Sequence, residues 1–178
     1  MEHIRVSDKI RLESLKLSMA PLIFETIDRD RAYLRQWLPF VDSTSELRHT
    51  ESFIHSITST DNKRDVIYSI LYNEEFAGLI GFKDTDSVNK KTEIGYWLAE
   101  KMQQRGIVTD CVKTLVKVAF QKLGLNRVQI KVAENNTKSE AIPQRLNFQF
   151  EGIERAGELH RNKFLDLKIY SLLKHDRY

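Results

Sequence analysis

One stretch of the chain combines residue types that can hold a phosphate with backbone atoms. Residues 93–108 read EIGYWLAEKMQQRGIV: an alternating apolar segment, a polar turn with one glycine, and the start of an amphipathic helix. Gly106 can adopt backbone angles closed to other residues, and a helix starting near Val108 points its free N–H groups at the turn. The pattern predicts a diphosphate cradle, although such a turn also needs a glycine for steric reasons alone.

A second polar motif, Asn136-Thr137-Lys138-Ser139, opens another helical segment. Asn and Thr side chains accept hydrogen bonds from first-turn N–H groups, so the motif predicts an N-cap. Metal chemistry has no such support, because the histidines lack metal-ligand spacing and the single Cys111 excludes both an internal disulfide and a cysteine-rich metal site. We expect no metal.

Composition and charge narrow the class of protein. The 178 residues include 28 Lys and Arg against 25 Asp and Glu, and 41% are hydrophobic. These values are typical of a single globular domain over residues 1–178. The mild, dispersed positive charge argues against a nucleic-acid partner. Since there is no signal-peptide core and no apolar run long enough to span a bilayer, we expect a cytoplasmic protein without a membrane partner.

Apolar residues recur at helical spacing in several parts of the chain. They predict two short helices around Leu22–Ile27 and Leu34–Leu38, the second ending at Pro39, and further helices over residues 45–59, 108–122 and 137–146. Gly124 closes the helix over 108–122 as a C-cap.

β-rich segments alternate with these helices. They predict strands at residues 10–14, 66–72, 76–82, 92–98, 127–133, 148–155 and 164–173. The order of strand 92–98, helix 108–122 and strand 127–133 is a β-α-β crossover, which implies parallel pairing unless the sheet splays there. The prediction is an α+β architecture, a mixed sheet with helices on both faces.

Five segments in this order resemble the GNAT acyl-CoA N-acyltransferases and, within them, the bacterial Rim-type ribosomal-protein N-acetyltransferases. They are YLRQWLPF (33–40), EIGYWL (93–98), QQRGIVTD (103–110), LGLNRVQIKVAENNTKSEAIPQRLNFQFEG (123–152) and KFLDLKIYSLL (163–173), which together span most of the chain. The resemblance implies a GNAT-like, mostly antiparallel sheet splayed between its central strands. It also implies direct transfer of acetyl from acetyl-CoA to a primary amine in a ternary complex.

The resemblance also implies where acetyl-CoA binds. The backbone N–H of Leu98 would face the thioester oxygen, and some of Lys101, Arg105, Lys138 and Arg145 would meet phosphates. In the family turn, Gln/Arg-x-x-Gly-x-Gly/Ala, Val108 departs from the small last residue. The side chains of Tyr96 and Trp97 by themselves are typical of ordinary sheet residues. The implied cofactor-binding residues are Tyr96, Trp97, Leu98, Gln103, Gln104, Arg105, Gly106, Ile107, Val108, Asn136 and Ser139.

Catalytic roles follow from the same resemblance. Many relatives carry a tyrosine acid four residues after the Ser139 position, where this chain has Pro143, and in the Rim-type branch the serine matching Ser139 donates to the departing sulfur. The implied base is Glu158, predicted in a loop or at a strand start, or Glu93 in its strand; that neither acts directly stays open. His160 is a candidate proton relay.

The acceptor side is less specific. The resemblance places Trp37, Leu38 and Glu158 at the acceptor groove. A weakly placed base suits an α-amine, whose pKa lies about 2.5 units below that of lysine. We therefore expect the N-terminal α-amine of a protein, perhaps ribosomal. The alternatives are a small amine such as a polyamine, amino sugar or drug, and a non-catalytic acyl-CoA-binding protein. Both a homodimer and a larger homo-oligomer stay open.

Overall fold

The computed structural model describes residues 3–62 and 64–176, and within those ranges it contains one eight-stranded sheet. Its strands are β1 (His3–Arg5), β2 (Ile10–Ser14), β3 (Val66–Tyr72), β4 (Glu75–Asp86), β5 (Lys91–Leu98), β6 (Arg127–Ala133), β7 (Gln149–His160) and β8 (Lys163–Leu173). The α-helices are α1 (Ala20–Arg29), α2 (Arg31–Leu34), α3 (Phe40–Ser43), α4 (Leu47–Thr58), α5 (Ile107–Lys117), which continues as a π-helix over Val118–Lys122, and α6 (Thr137–Arg145).

The strand order is β1-β2-β3-β4-β5-β6-β8-β7, and neighbours pair antiparallel except β5 and β6, which are parallel. The predicted α+β fold with a mixed, mostly antiparallel sheet is therefore confirmed. The parallel pair is the one that the β-α-β crossover through α5 requires, because parallel neighbours need a long connection.

The sheet opens between β5 and β6. In the described chain their register covers Lys91–Glu93 against Arg127–Gln129, so the last five residues of β5 run without a partner on that side. On its other side β5 stays paired with β4 up to Leu98. This confirms the predicted splay, which leaves backbone hydrogen-bonding groups of β5 facing a gap.

Helices cover both faces of the sheet. Leu79 and Ile80 are neighbours on β4, yet they belong to different hydrophobic clusters because successive strand residues point to opposite faces. The Ile80 cluster includes the apolar face of α5, and the Leu79 cluster includes α1 and α4. Each helical layer is held by burial of its apolar face.

Several element boundaries differ from the predictions. β1 was not predicted, β4 continues to Asp86, and β7 reaches His160 because a register shift between Glu154 and Glu158 absorbs the break in its alternation. The second short helix ends at Leu34, before Pro39, and Pro39 is the N-cap of α3. In the part of the chain that the structure describes, no helix has the length and apolarity needed to cross a membrane.

Candidate active site

The turn before α5 has the geometry of an anion cradle. Gly106 is the N-cap of α5 at φ 73° and ψ 0°, in the left-handed region that favours glycine. Gln104 also has a positive φ of 61°. The helix begins at Ile107, one residue before the predicted start. Val108 is buried in the core, so its side chain packs inward while its amide belongs to the first turn. First-turn N–H groups therefore point toward the turn, as phosphate binding requires.

A cavity of about 590 Å³ lies between this turn, the gap beside β5 and the start of α6. It gathers every predicted cofactor-binding residue, namely Tyr96, Trp97, Leu98, Gln103, Gln104, Arg105, Gly106, Ile107, Val108, Asn136 and Ser139. Arg105, Lys138 and Arg145 line it as well, whereas Lys101 is paired with Glu75. The segments that the sequence assigns to acetyl-CoA thus surround one space.

The end of β5 presents a backbone donor to that space. Ala99 donates its N–H to the carbonyl of Ala77 at 2.7 Å, on the β4 side. Because backbone groups alternate sides along a strand, the N–H of Leu98 points the other way, into the gap. Gly78 makes the close approach of β4 feasible, since a Cβ there would lie 2.2 Å from the carbonyl oxygen of Trp97.

The start of α6 is fixed by its cap. The Asn136 side-chain oxygen accepts a hydrogen bond from the Ser139 N–H at 3.2 Å, which confirms the predicted N-cap. Glu140 anchors the same turn to β8: it accepts bonds from Lys168 at 2.8 and 2.9 Å and from the Tyr170 hydroxyl at 2.6 Å. These donors, Lys168 first, lower the pKa of Glu140. Ser139 is therefore held between two well-anchored residues.

Tyr96 reaches Ser139 across the gap. Its hydroxyl lies 3.1 Å from Ser139 Oγ and donates to the Ser139 carbonyl at 3.2 Å. Burial raises the pKa of Tyr96 to about 12. Sequence analysis missed this contact, because the strand pattern treats the side chain as an ordinary sheet residue. The same interpretation suits Trp97, which is buried and packs edge-on against Phe76 with ring centres 5.9 Å apart.

A second cavity, of about 570 Å³, opens on the other side of the same residues. It is lined by Glu93 and Glu158 together with apolar and aromatic side chains from α1, α3 and α4. The two cavities share Trp37, Leu38, Tyr96, Trp97, Asn136 and Ser139 in their walls. A ligand in one cavity can therefore meet a ligand in the other at Ser139.

The two carboxylates of the second cavity have different surroundings. Glu158 lies within β7, not in the predicted loop or at a strand start, and it is partly buried. Burial raises its pKa and so does the charge of Glu93, whereas the charges of His160 and Lys83 act the other way. Glu93 pairs with Lys83 at 3.2 Å. The two carboxylates therefore differ in their surroundings: Glu93 is held in an ion pair with Lys83, whereas burial raises the pKa of Glu158.

Other predicted or unforeseen residues also have defined places. His160 is buried, and within the described chain its Nδ1 has no hydrogen-bond partner. The second cavity also takes in Phe53, Lys83 and Lys131, which were not predicted as site residues because they come from separate elements and form no local motif. Among the described residues, no group of three or more His, Cys, Asp and Glu side chains is arranged to hold a metal ion.

Comparison with known proteins agrees with this geometry. Residues 9–149 match the family described as the acetyltransferase (GNAT) domain. YdaF of Bacillus subtilis (strain 168) is 32% identical over 177 residues, 97% of this chain and 95% of its own. The ribosomal-protein-serine acetyltransferase of Escherichia coli (strain K12) is 27% identical over 173 residues, 96% of each chain.

Two solved structures superpose on most of the chain. The microcin C7 self-immunity acetyltransferase MccE, in complex with acetyl-CoA and AMP, has a TM-score of 0.91 at 28% identity and covers 97% of this chain and 96% of its own. RimL, a ribosomal L7/L12 α-N-protein acetyltransferase in complex with coenzyme A, has a TM-score of 0.91 at 25% identity and covers 97% and 98%. One of these structures contains acetyl-CoA and the other coenzyme A.

Proposed function

Because this chain belongs to the GNAT acetyltransferase family and is an acetyl-CoA-dependent N-acetyltransferase, we propose that its acceptor is the N-terminal α-amine of a protein, in the first instance a ribosomal protein. The observation that carries the proposal is the junction of the two cavities at Ser139. A thioester held on the cofactor side and an amine entering from the acceptor side would meet there without an intermediate carrier. Direct transfer in a ternary complex is the chemistry that this arrangement favours.

The cofactor side would bind acetyl-CoA and present its thioester, which is the electrophile. The cradle at Gly106 and the first turn of α5 would hold the pyrophosphate, and the unpaired edge of β5 would pair with the pantetheine arm. The Leu98 N–H would then donate to the thioester oxygen. A preorganised amide of this kind typically contributes about 2.7–4 kcal/mol to acyl transfer.

We assign the proton transfer from the amine to Glu158 and hydrogen-bond donation to the leaving sulfur to Ser139. The amine nitrogen attacks the acetyl carbon, the new C–N bond forms, and Glu158 takes the proton that the nitrogen must lose. As the C–S bond breaks, the Ser139 hydroxyl donates a hydrogen bond to the sulfur, which leaves as the thiolate of CoA and takes its proton from water. Support for Glu158 over Glu93 comes from their surroundings: burial raises the pKa of Glu158, while Glu93 is held by Lys83.

The strength of this base supports an α-amine as acceptor. Neutralising an α-amine, with a reference pKa of about 7.7–8.0, takes about 3.4 kcal/mol less than neutralising a lysine at about 10.4. A carboxylate remains a weak base even when burial raises its pKa. An acceptor that is already partly neutral near pH 7 therefore fits the site best.

Labelled acetyl-CoA tests the acceptor directly. Ribosomal proteins from a strain without the enzyme would be incubated with isotope-labelled acetyl-CoA and the purified protein, and intact and peptide masses recorded. We expect label at the N-terminal amine of one or a few proteins, and labelling roughly 30-fold slower with Ser139→Ala at the same protein concentration. Label on lysine side chains, or on no protein while small amines are acetylated, would contradict the proposal.

A nucleotide-bearing amine is the second candidate. MccE was solved in complex with acetyl-CoA and AMP. In this chain Trp37, Phe40, Phe53 and His49 line the second cavity, where a planar base would have aromatic rings to stack on. Competition separates the two candidates: AMP should leave peptide acetylation unchanged if the acceptor is a protein. Inhibition by AMP that is competitive with the amine would favour the nucleotide-linked acceptor instead.

A further inference from the structure

The hydroxyl of Tyr96 replaces a hydrogen-bond donor that α6 itself lacks. Pro143 lies inside α6, four residues after Ser139. Because proline has no N–H, the regular helical hydrogen bond to the Ser139 carbonyl cannot form. Tyr96, from β5, donates to that carbonyl at 3.2 Å. A side chain of the sheet thus satisfies a helix carbonyl at the point where the sheet is splayed.

The same hydroxyl also constrains the Ser139 side chain. Tyr96 Oη lies 3.1 Å from Ser139 Oγ, so one phenolic proton faces two oxygens of a single residue. A serine hydroxyl with no such neighbour rotates to suit its surroundings. With Tyr96 on one side, Ser139 Oγ is held at the wall that the two cavities share.

We infer that Tyr96 is a positioning residue that orients and polarises the Ser139 hydroxyl toward the departing sulfur, an inference that rests on the proposed role of Ser139. The Tyr96 hydroxyl would share its one proton between the Ser139 carbonyl and Ser139 Oγ, and the Ser139 proton would then be directed at the thiolate. Hydrogen bonds in a chain strengthen one another in a buried site, so the bond from Tyr96 would strengthen the bond that Ser139 donates to the sulfur. Tyr96 undergoes no change in bonding and acts through Ser139.

The protonation state of Tyr96 suits this role. Burial raises the pKa of its hydroxyl to about 12, so the phenol keeps its proton throughout the neutral range. A thiol has a reference pKa of about 8.5, and a phenol this weak is a poor acid toward a thiolate. Hydrogen-bond donation is therefore the contribution that remains open to Tyr96.

Titration of the thiol of bound CoA tests the inference without any amine acceptor. Ultraviolet thiolate absorbance would be followed against pH for the wild-type protein, Tyr96→Phe, Ser139→Ala and the control Tyr68→Phe, which loses a buried phenol in the core. We expect the first two variants to raise the thiol pKa by about half a unit to one unit. Affinity for S-methyl-CoA, which cannot ionise, should not change, and the control should match wild type.

Two results of this titration have separate meanings. Unchanged thiol pKa in Tyr96→Phe, with a raised value in Ser139→Ala, would overturn the role of Tyr96 and leave the proposed function intact. Unchanged values in both variants would overturn both the donation by Ser139 and the inference that depends on it.

Kinetics in the same variants complete the test. We expect kcat to fall about 5-fold in Tyr96→Phe and to fall no further when Tyr96→Phe is added to Ser139→Ala, because both substitutions remove one chain of donors. If the losses in kcat from the two single substitutions multiplied in the double variant, the inference would be contradicted. Pro143→Ala returns a helical N–H to the Ser139 carbonyl, and it should not restore kcat to Tyr96→Phe. A return to wild-type kcat would mean that Tyr96 only replaces the missing helical hydrogen bond to the Ser139 carbonyl, and it would overturn the inference.

Discussion

The first cavity, proposed to hold acetyl-CoA, and the second, proposed to hold the acceptor, are here named the cofactor cavity and the acceptor cavity. They are close in volume, about 590 and 570 Å³, but they are built in different ways. The cofactor cavity is framed by two short segments, the turn before α5 and the start of α6, together with the open edge of β5. The acceptor cavity draws side chains from helices and strands spread over most of the chain. A ligand bound by backbone groups leaves a compact sequence pattern, whereas one bound by scattered side chains does not.

This difference predicts separable effects of substitution. Substitutions in the acceptor cavity should alter turnover with the amine and leave acetyl-CoA binding intact. Substitutions in the turn before α5 should first weaken acetyl-CoA binding. Ser139 and Tyr96 lie at the shared wall, where the two kinds of effect meet.

The largest effect is expected at Glu158. Glu158→Gln removes the proposed base and should lower kcat about 100-fold, the lower end of the range for general acid–base catalysis. Glu93→Gln, the matched control, should lower it less than about 5-fold, because Glu93 is paired with Lys83. Steady-state rates with a saturating peptide and direct binding of acetyl-CoA would check both variants.

The pH profile sharpens this comparison. Burial raises the pKa of Glu158, and a base acts only when deprotonated, so the wild-type kcat should fall as the pH drops through that raised value. Glu158→Gln should lose this acidic limb. If Glu93→Gln removed the limb and Glu158→Gln kept it, the assignment of the base would be reversed.

Ser139→Ala comes next in size. We expect kcat to fall roughly 30-fold, less than for the base, because a thiolate with a reference pKa near 8.5 needs only modest help. The Kd for acetyl-CoA should change by less than about 2-fold, since Asn136 caps the backbone N–H of Ser139 and this bond survives. Calorimetry and single-turnover rates measure the two quantities. Equal losses in binding and turnover would place Ser139 in cofactor binding alone.

Gly106→Val should affect the cofactor side first. A Cβ added there meets no atom within 4 Å, so the expected penalty comes from its φ of 73°. Left-handed geometry costs a residue about 1–2 kcal/mol, which corresponds to roughly a 10-fold rise in the Kd for acetyl-CoA if the turn reshapes. Gly124→Val is the matched control, since Gly124 has a φ of 64° and equally open space but lies outside both cavities. Equal Kd values for the two variants would refute the cradle.

Phe53→Ala tests the acceptor side with a smaller effect. Phe53 is 38% exposed and lines the acceptor cavity, so its ring should contribute about 1 kcal/mol to acceptor binding. We expect KM for a peptide to rise about 5-fold with an unchanged Kd for acetyl-CoA. Phe150→Ala, at a more exposed ring outside both cavities, should change neither value. A rise confined to acetyl-CoA would break the division between the cavities.

The smallest effect concerns stability away from both cavities. Arg127, with Ser171, lowers the pKa of Glu151 to about 2 against an ordinary 4.5. A lowered folded-state pKa means that this stability is present above about 4.5 and is lost as the pH falls toward about 2. The side chain is 40% exposed, so solvent screening limits the amount to about 1 kcal/mol or less. In denaturant titrations Glu151→Gln should flatten this pH dependence; a steeper one would contradict the sign.

The sequence predicts the cofactor half of the site better than the acceptor half. The glycine turn and the N-cap at Asn136 each depend on residues close together in the chain, and the structure has both. The splay beside β5, which the family resemblance implied, is also present. Glu158 was expected in a loop or at a strand start, because Arg155-Ala156-Gly157 breaks the alternation that marks a strand. In the structure a register shift accommodates those residues, and Ala156 takes a φ of 53°.

The contact between Tyr96 and Ser139 shows the same limit. The two residues are 43 positions apart in the chain, and their hydroxyls meet because β5 separates from β6 and α6 sits over the gap. No local pattern marks such a pair. The missing N–H of Pro143 is visible in the sequence, but which donor replaces it depends on the tertiary fold.

The central claim is that acetyl passes directly from acetyl-CoA to an N-terminal α-amine at the junction of the cavities. Two peptides of one sequence test it most directly, one with a free N-terminus and a blocked lysine, the other with a blocked N-terminus and a free lysine. At neutral pH the first should be acetylated with a kcat/KM at least about 10-fold higher, because far more of its amine is neutral and the base is weak. A kcat/KM for the lysine peptide equal to or above that of the α-amine peptide would contradict the account.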